Sequence, residues 1–200
     1  KGKRAGRPPV EPLYTVDDAQ NALAHLECHD YHQRFTLCPG VEAESVDAGH
    51  LLGSAMIRLW VTENGETRRL VFSGDIGNIK QPIIRDPSYI TEADYVITES
   101  TYGDREHDER EGEYTDQLAE ILDRTFARGG NVIIPAFAVG RTQELLYFIR
   151  EIKQKGQVSS FPNFPVYVDS PLAKAATTIF DGDLTGYLDE EAMALVKNDV

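Results

Sequence analysis

The sequence contains few cysteines, no long apolar run and fewer basic than acidic residues. Its two cysteines, Cys28 and Cys38, provide no disulfide framework, so a reducing, cytoplasmic compartment is the simplest setting. No apolar run approaches the roughly 20 residues that a membrane span needs. The basic segment from Lys1 to Arg7 is not followed by an apolar stretch. We therefore expect a soluble protein with neither a signal peptide nor a membrane anchor.

The chain is strongly acidic. Its 33 acidic and 20 basic residues give a formal net charge of −13, and the pI is near 4.8. Proteins that hold nucleic acid through their overall field normally present a basic face, so the composition argues against such a binder. It does not exclude one, because binding depends on local potential. A salt-adapted or solubilising surface also explains the acidity, and the sequence leaves this choice open.

The amino-terminal segment, residues 1–12, carries four basic side chains and three prolines. This composition is typical of an exposed linker, although a phosphate-binding arm is an alternative. Thr15 and Asp18 then predict the cap of a helix over residues 16–27. The hydrophobic content of 41% is sufficient for a sizeable buried core.

Four side chains that can bind metal follow at helical spacing, and they are His25, Cys28, His29 and His32. On one continuous helical face they could form a metal site. We favour a frayed helix end, because Asp30 and Tyr31 indicate that the helix has already stopped.

Strand-like alternation follows, around Phe35 and Leu37 and over residues 41–46, 55–62 and 68–73. Asn64 and Gly65 predict a tight hairpin turn, because both tolerate a positive φ. His50 then lies at the entrance to one hairpin strand and Asp75 at the exit of the other. Both occupy glycine-flanked turns, which suit a site held rigidly by strands. The alternative is that both are ordinary turn residues.

The second half alternates between helices and strands. A strand near residues 95–98 ends at Glu99, and an acid-rich loop follows it. The elements then predicted are a helix over 113–128, a strand over 131–135, a helix over 142–155, a strand over 165–169 and a helix from Pro171. The first of these helices has an apolar stripe formed by Leu118, Ile121, Leu122 and Phe126, and Gly129 and Gly130 predict its end. This order predicts a parallel sheet flanked by helices, with a domain boundary near residues 104–112.

Five ordered motifs resemble the β-CASP branch of the metallo-β-lactamase superfamily. They are DAGHLLGSA (47–55), FSGDIG (72–77), TESTYG (98–103), IPAFAVGRTQEL (134–145) and VDSPLA (168–173). That branch contains nucleases, among them the endonuclease of mRNA 3′-end processing and its bacterial and archaeal relatives. Five motifs in order are far more specific than a single glycine pattern.

The resemblance implies an α/β protein in two parts. Residues 1–106 would be the C-terminal portion of a metallo-β-lactamase domain of αββα type. Residues 107–200 would be the N-terminal portion of a β-CASP domain with a mainly parallel sheet. The implied reaction is hydrolysis of single-stranded RNA with two zinc ions, which polarise the phosphate and acidify a bridging water. His50 would bind one zinc and Asp75 would lie between both.

The resemblance also assigns roles to three further residues. Glu99 would be an active-site acid that supports a histidine further along the family's chain, and a carboxylate that caps the next loop is the alternative. Arg141 and Ser170 lie at strand-to-helix junctions, where they could bind substrate phosphate. A surface salt bridge and a helix cap are the ordinary alternatives for these two residues.

The family's H-x-H-x-D-H motif does not occur in these 200 residues, and neither do its two later histidine motifs. We therefore expect an internal piece of a longer enzyme, inactive by itself and not stably loaded with zinc. Two alternatives remain: a non-catalytic β-CASP partner that binds RNA or a catalytic paralogue as a scaffold, and an enzyme of the same fold that acts on DNA or on a small ester. The sequence leaves open endonuclease or exonuclease action, and whether the protein is a homodimer.

Overall fold

The computed structural model describes residues 12–105, 114–180, 182, 184, 186–190 and 192–193. The expected amino-terminal connection and most of the expected domain boundary therefore lie outside the described residues. Within the described ranges the chain is a mixed α/β structure, which confirms the predicted fold class. Its elements are α1 (Val16–Leu23), β1 (Phe35–Cys38), β2 (Val41–Asp47), β3 (Ala55–Glu63), β4 (Glu66–Phe72), β5 (Tyr95–Ile97), α2 (Tyr114–Phe126), α3 (Arg141–Gln154) and α4 (Pro171–Phe180).

Helix α1 begins with the predicted capping box. The Thr15 hydroxyl accepts from the Asp18 amide at 3.3 Å, and the Asp18 carboxylate accepts from the Thr15 amide at 2.8 Å. The helix ends at Leu23, four residues earlier than predicted, and buries none of its residues. A helix without a buried face gains little stability from packing, and a helix as short as α1 is then only marginally stable.

The His/Cys cluster lies beyond the end of α1 at Leu23, so its four side chains do not share a face of that helix. Within the described part of the chain, no three His, Cys, Asp or Glu side chains come together in a group that could hold a metal ion. The His29 ring instead stacks on Phe35, with ring centroids 3.6 Å apart. This geometry agrees with the interpretation of the cluster as a frayed helix end.

The first half forms a five-stranded sheet in the order β1-β2-β3-β4-β5. Neighbouring strands are antiparallel, except that β5 runs parallel to β4. Asn64 and Gly65, with φ of 51° and 81°, form the predicted turn between β3 and β4. Because β3 and β4 are antiparallel, the start of β3 lies beside the end of β4. The segments that carry His50 and Asp75 therefore meet at one end of the hairpin, as predicted.

A small apolar core joins α2 to α3. Its buried members are Ala119, Leu122, Ile149, Ile152, Val158 and Phe164, and Leu118, Phe126 and Val132 pack against them. Three of the four residues of the predicted α2 stripe thus face this core, whereas Ile121 is exposed. Gly129 and Gly130 follow the helix, and their amides donate to the carbonyls of Phe126 and Thr125 at 2.8 and 3.0 Å. They end α2 as predicted.

The mainly parallel sheet expected in the second half is matched only in part. Residues 131–135 and 165–169 were predicted as strands, but neither segment forms a strand in the described part of the chain. The parallel pair among the described residues is β4 with β5, which lies in the first half. A strand needs a neighbour to satisfy its N–H and C=O groups, and neither segment pairs with a strand among the described residues. Ile133 and Tyr167 are accordingly 89% and 84% exposed.

No helix within the described ranges has both the length and the apolar character required to cross a bilayer.

The α2–α3 core should dominate the stability of the second half. Ile152 is completely buried there, so Ile152→Ala should lower the free energy of unfolding by about 3 kcal/mol through lost burial and a residual cavity. Ile133→Ala, at a position 89% exposed, should change it by less than about 0.5 kcal/mol. Urea denaturation followed by circular dichroism measures both, and equal effects would contradict this assignment of the core.

Candidate active site

The turn that carries His50 is organised by Ser54. The Ser54 hydroxyl oxygen accepts from the amides of His50 and Leu51 at 3.1 and 3.2 Å. The Ser54 amide donates to the Leu51 carbonyl at 2.9 Å, and the Ser54 carbonyl accepts from the Ala48 amide at 3.1 Å. These bonds close the loop between β2 and β3 and leave His50 exposed. Sequence analysis included Ser54 in a motif but assigned it no role.

The Asp75 turn lies directly against the His50 turn. The Gly77 amide donates to the Ala48 carbonyl at 2.9 Å, and a Cβ at Gly77 would lie 1.6 Å from the Gly49 carbonyl oxygen. Gly49 has a φ of +62°, and a Cβ there would lie 2.5 Å from Pro87. Glycine is therefore required on both sides of the contact. The glycines next to the two candidate ligands are what allow these turns to touch.

Glu99 supports the Asp75 turn from the neighbouring strand. Its Oε1 accepts from the Ile76 amide at 2.6 Å, and its own amide donates to the Ser73 hydroxyl at 3.0 Å. The pKa of Glu99 lies below its ordinary value, chiefly because the Ile76 amide and then the Thr101 hydroxyl donate to the carboxylate, with a smaller contribution from the charge of His50. The low pKa favours an ionised Glu99, which contacts the Asp75 turn through the Ile76 amide and lies close enough to His50 for its charge to act.

Two buried polar residues hold the strand ends beneath these turns. Ser73 donates from its amide to the Ile97 carbonyl at 2.9 Å, which ties the end of β4 to β5. Asp47, at the end of β2, accepts from the Gly49 amide at 2.8 Å. Burial raises the pKa of Asp47, although the Gly49 amide and the nearby Arg85 and His32 oppose this rise. Sequence analysis gave neither Asp47 nor Ser73 a role.

The candidate ligand side chains are His50 and Asp75. Both are exposed, and neither the imidazole nor the carboxylate forms a hydrogen bond or ion pair with another described residue. A histidine nitrogen and a carboxylate oxygen are ordinary ligands of zinc. Catalytic zinc sites typically use three protein ligands, and among the described residues no three His, Cys, Asp or Glu side chains form a group that could hold a metal ion. The donors fit zinc in kind but are too few in number.

The amino end of α3 packs against the His50 turn. Gly140 has a φ of +82°, and a Cβ there would lie 2.3 Å from Cδ2 of Leu51. Buried Gln143 fixes this contact: its Oε1 accepts from the Gly140 amide at 2.8 Å, and its Nε2 donates to the Ala138 carbonyl at 3.2 Å. Arg141, the first residue of α3, is therefore held next to the turn that carries His50.

The structure gives Arg141 and Ser170 local partners. Nη1 of Arg141 lies 2.6 Å from Oε2 of Glu144, and the Arg141 side chain remains 62% exposed. Burial raises the pKa of Glu144, and the charge of Arg141 opposes this rise. The Ser170 hydroxyl oxygen accepts from the Ala173 amide at 3.1 Å and so caps α4. Among the described residues, no hydrogen bond joins the Ser170 side chain to the His50 turn.

Comparison with known proteins gives consistent similarities. Residues 142–198 match the Beta-Casp domain family. The chain is 38% identical over 184 residues to ribonuclease TTHA0252 of Thermus thermophilus, covering 92% of this chain and 40% of that protein. It is 32% identical over 184 residues to endoribonuclease YSH1 of Gibberella zeae, covering 90% and 21%. It is 30% identical over 186 residues to transcription termination factor FttA of Thermococcus kodakarensis, covering 91% and 28%. The chain thus spans less than half the length of each of these relatives.

The contact between the two turns should not tolerate a side chain at Gly77. Gly77→Ala places a Cβ 1.6 Å from a backbone oxygen, so the turns must separate, and we expect a loss of about 3 kcal/mol or more in the free energy of unfolding. Gly182→Ala is the matched control, because its Cβ would lie 3.2 Å from the Ile179 carbonyl oxygen and should change stability by less than about 1 kcal/mol. Urea denaturation of both variants tests this, and a wild-type midpoint for Gly77→Ala would contradict the contact.

Proposed function

Because the chain belongs to the β-CASP branch of the metallo-β-lactamase superfamily, we propose that the protein carrying it is a zinc-dependent ribonuclease that hydrolyses single-stranded RNA. The observation that most supports this proposal is the meeting of the His50 turn, the Asp75 turn and Glu99 at one end of the β3–β4 hairpin. Relatives named as ribonucleases support RNA as the substrate. In this proposal residues 1–106 belong to the metallo-β-lactamase domain and residues 107–200 to the β-CASP domain.

His50 and Asp75 would be metal ligands in this site. The imidazole would bind through one ring nitrogen, and the carboxylate has two oxygens with which to bridge two ions. Bound zinc would supply Lewis-acid polarisation of the phosphodiester and would lower the pKa of the attacking water. Further ligands would have to come from outside the described residues, since two are fewer than a catalytic site requires.

Glu99 would act by orientation rather than as a ligand. Its Oε1 already accepts from the amide of Ile76, the residue after Asp75, so it holds the backbone of the turn that carries Asp75. Its second carboxylate oxygen could accept from a histidine N–H, and such bonds orient ligating imidazoles and raise their basicity. Because the pKa of Glu99 is low, it would be an ionised acceptor at neutral pH.

Arg141 and Ser170 would bind the phosphate backbone of RNA. The Arg141 guanidinium is exposed and pairs with Glu144 at 2.6 Å, and a phosphate could use its remaining donors in a bidentate contact. The Ser170 hydroxyl accepts from the Ala173 amide, which leaves its own proton available for donation. The chain has a net charge of −13 and therefore repels RNA, which is a polyanion. Local donors such as Arg141 and Ser170 would have to outweigh this repulsion.

The metal assignment predicts loss of hydrolysis when either ligand is removed. His50→Ala and Asp75→Asn in the full-length protein should each lower kcat for single-stranded RNA by at least about 100-fold. Chelation should abolish activity and added zinc should restore it. His25→Ala is the matched control, because His25 is an exposed histidine outside the candidate site, and it should retain wild-type activity.

Three outcomes separate the alternatives for this site. Wild-type hydrolysis by either ligand variant would refute the metal assignment. No hydrolysis by the wild-type protein, with RNA binding retained, would favour a non-catalytic RNA-binding or scaffold role. Faster cleavage of single-stranded DNA than of RNA in direct competition would favour a DNA-directed nuclease of the same fold.

The phosphate role of Arg141 predicts a change in KM. Arg141→Ala should raise KM for RNA about tenfold, which corresponds to the loss of one charge-assisted hydrogen bond. The slope of the logarithm of the RNA-binding constant against the logarithm of the salt concentration should become shallower by about 0.7. Arg124→Ala is a closely matched control, because both arginine side chains are 62% exposed and both pair with a glutamate on their own helix. Equal changes in KM in the two variants would show that RNA binding responds to the net charge of the protein rather than to a specific contact by Arg141.

A further inference from the structure

We propose that Tyr31 is a positioning residue for His50 and that the carboxyl-terminal segment 187–189 holds Tyr31 in place. Tyr31 and this segment would together set the geometry of the His50 turn. The inference rests on the proposed function in one respect, since it takes His50 to be a metal ligand. Tyr31 and residues 187–189 lie outside the sequence motifs, and neither had a functional role in the sequence analysis.

Tyr31 reaches the residue that organises the His50 turn. Its hydroxyl donates to the Ser54 carbonyl at 2.7 Å in a partly buried bond. The same Ser54 receives the amides of His50 and Leu51 on its side-chain oxygen. Burial, and then the charge of Asp47, raise the pKa of Tyr31 to about 12, so the hydroxyl keeps its proton and remains a donor. A shift of Tyr31 would therefore move Ser54, and Ser54 would move the His50 backbone.

Segment 187–189 contacts Tyr31 and its chain neighbour Asp30. The Tyr187 ring lies 5.2 Å from the Tyr31 ring between centroids, at an interplanar angle of 50°. The Tyr187 hydroxyl donates to Oδ1 of Asp30 at 3.2 Å. These contacts join residues more than 150 positions apart. Closing so long a loop costs conformational entropy, which the contacts of the segment must offset.

The same segment also contacts a second support of the His50 turn. Leu188 forms an antiparallel bridge with Ile84, its carbonyl accepts from Nε of Arg85 at 3.3 Å, and the Asp189 amide donates to the Ile83 carbonyl at 3.0 Å. Leu188 is buried at this junction.

The loop that receives Leu188 continues directly to the turn. The Ser88 amide donates to the Asp47 carbonyl at 2.9 Å, and Pro87 packs so closely on Gly49 that a Cβ there would lie 2.5 Å from it. Segment 187–189 therefore reaches the His50 turn by two routes, one through Tyr31 and Ser54 and the other through the loop that ends at Pro87. Such a double connection couples the turn to a distant part of the chain.

Tyr31→Phe tests the first route, because it removes one hydroxyl and leaves the ring contact with Tyr187. In the full-length protein this variant should speed amide hydrogen exchange in peptides covering residues 48–54. It should also weaken zinc binding about fivefold in competition with a chromogenic chelator, the fold-change that corresponds to one lost hydrogen bond. We expect a lower kcat with KM for RNA unchanged, since the substrate contacts are not altered.

Tyr89→Phe is the matched control, because Tyr89 is 87% exposed, and it should leave exchange and zinc affinity unchanged. Tyr187→Phe, which removes only the bond to Asp30, should give a change in the same direction as Tyr31→Phe, and it replaces that variant if Tyr31→Phe does not fold. A purely structural Tyr31 would lower the melting temperature without altering exchange in 48–54 or zinc affinity below the transition, and this result would overturn the proposal.

His50→Ala in the same assays separates this inference from the proposed function. If His50→Ala loses zinc while Tyr31→Phe matches the wild type in exchange and affinity, the positioning role is refuted and the proposed function stands. If His50→Ala keeps wild-type zinc affinity, the metal assignment fails. Faster exchange in 48–54 of Tyr31→Phe would even then support positioning of the turn.

Discussion

The candidate site depends on the direct contact between the His50 turn and the Asp75 turn. The β3–β4 hairpin brings the two chain segments to the same end of the sheet, but pairing alone leaves them a strand spacing apart. The bond from Gly77 to Ala48 and the approach of Gly77 to the Gly49 carbonyl oxygen close that gap. Glu99 then holds the Asp75 turn from β5. This close approach is possible because glycine has no side chain. Without it, His50, Asp75 and Glu99 would not lie on one surface.

The proposed function requires an acidic chain to hold RNA, so the charges near the candidate site bear directly on it. Three carboxylates lie near the candidate site: buried Asp47 accepts from the Gly49 amide, Glu99 lies within reach of the charge of His50, and Glu144 pairs with Arg141. Such a cluster repels phosphate unless cations lie among its members, because local potential rather than net charge controls the approach of an anion. In the proposed function, bound metal and the Arg141 guanidinium supply that positive charge. The general acidity would then limit binding elsewhere on the protein and leave the site as the place where RNA is held.

Sequence patterns predicted the first half well and the second half less completely. The capping box at Thr15, the Asn64–Gly65 hairpin and the glycines after α2 depend on neighbours within a few residues, and all three were confirmed. The strands expected at residues 131–135 and 165–169 are absent from the described residues, because an apolar run becomes a strand only when another strand pairs with it. Local composition indicates the propensity of such a segment but not the presence of its partner.

The sequence by itself determined the elements whose causes are local, together with the ordered motifs that place His50, Asp75 and Glu99 at strand ends. Only the tertiary structure decided which groups support them. The Ser54 carbonyl accepts a hydrogen bond from Tyr31, 23 positions away, and Gly140 packs against Leu51. Segment 187–189 contacts residues 30–31 and 83–85. No periodicity or motif encodes these pairings, because each depends on how the folded chain returns to the same place. The physical reason is that hydrogen-bond and packing complementarity between distant segments exists only after the fold has brought them together.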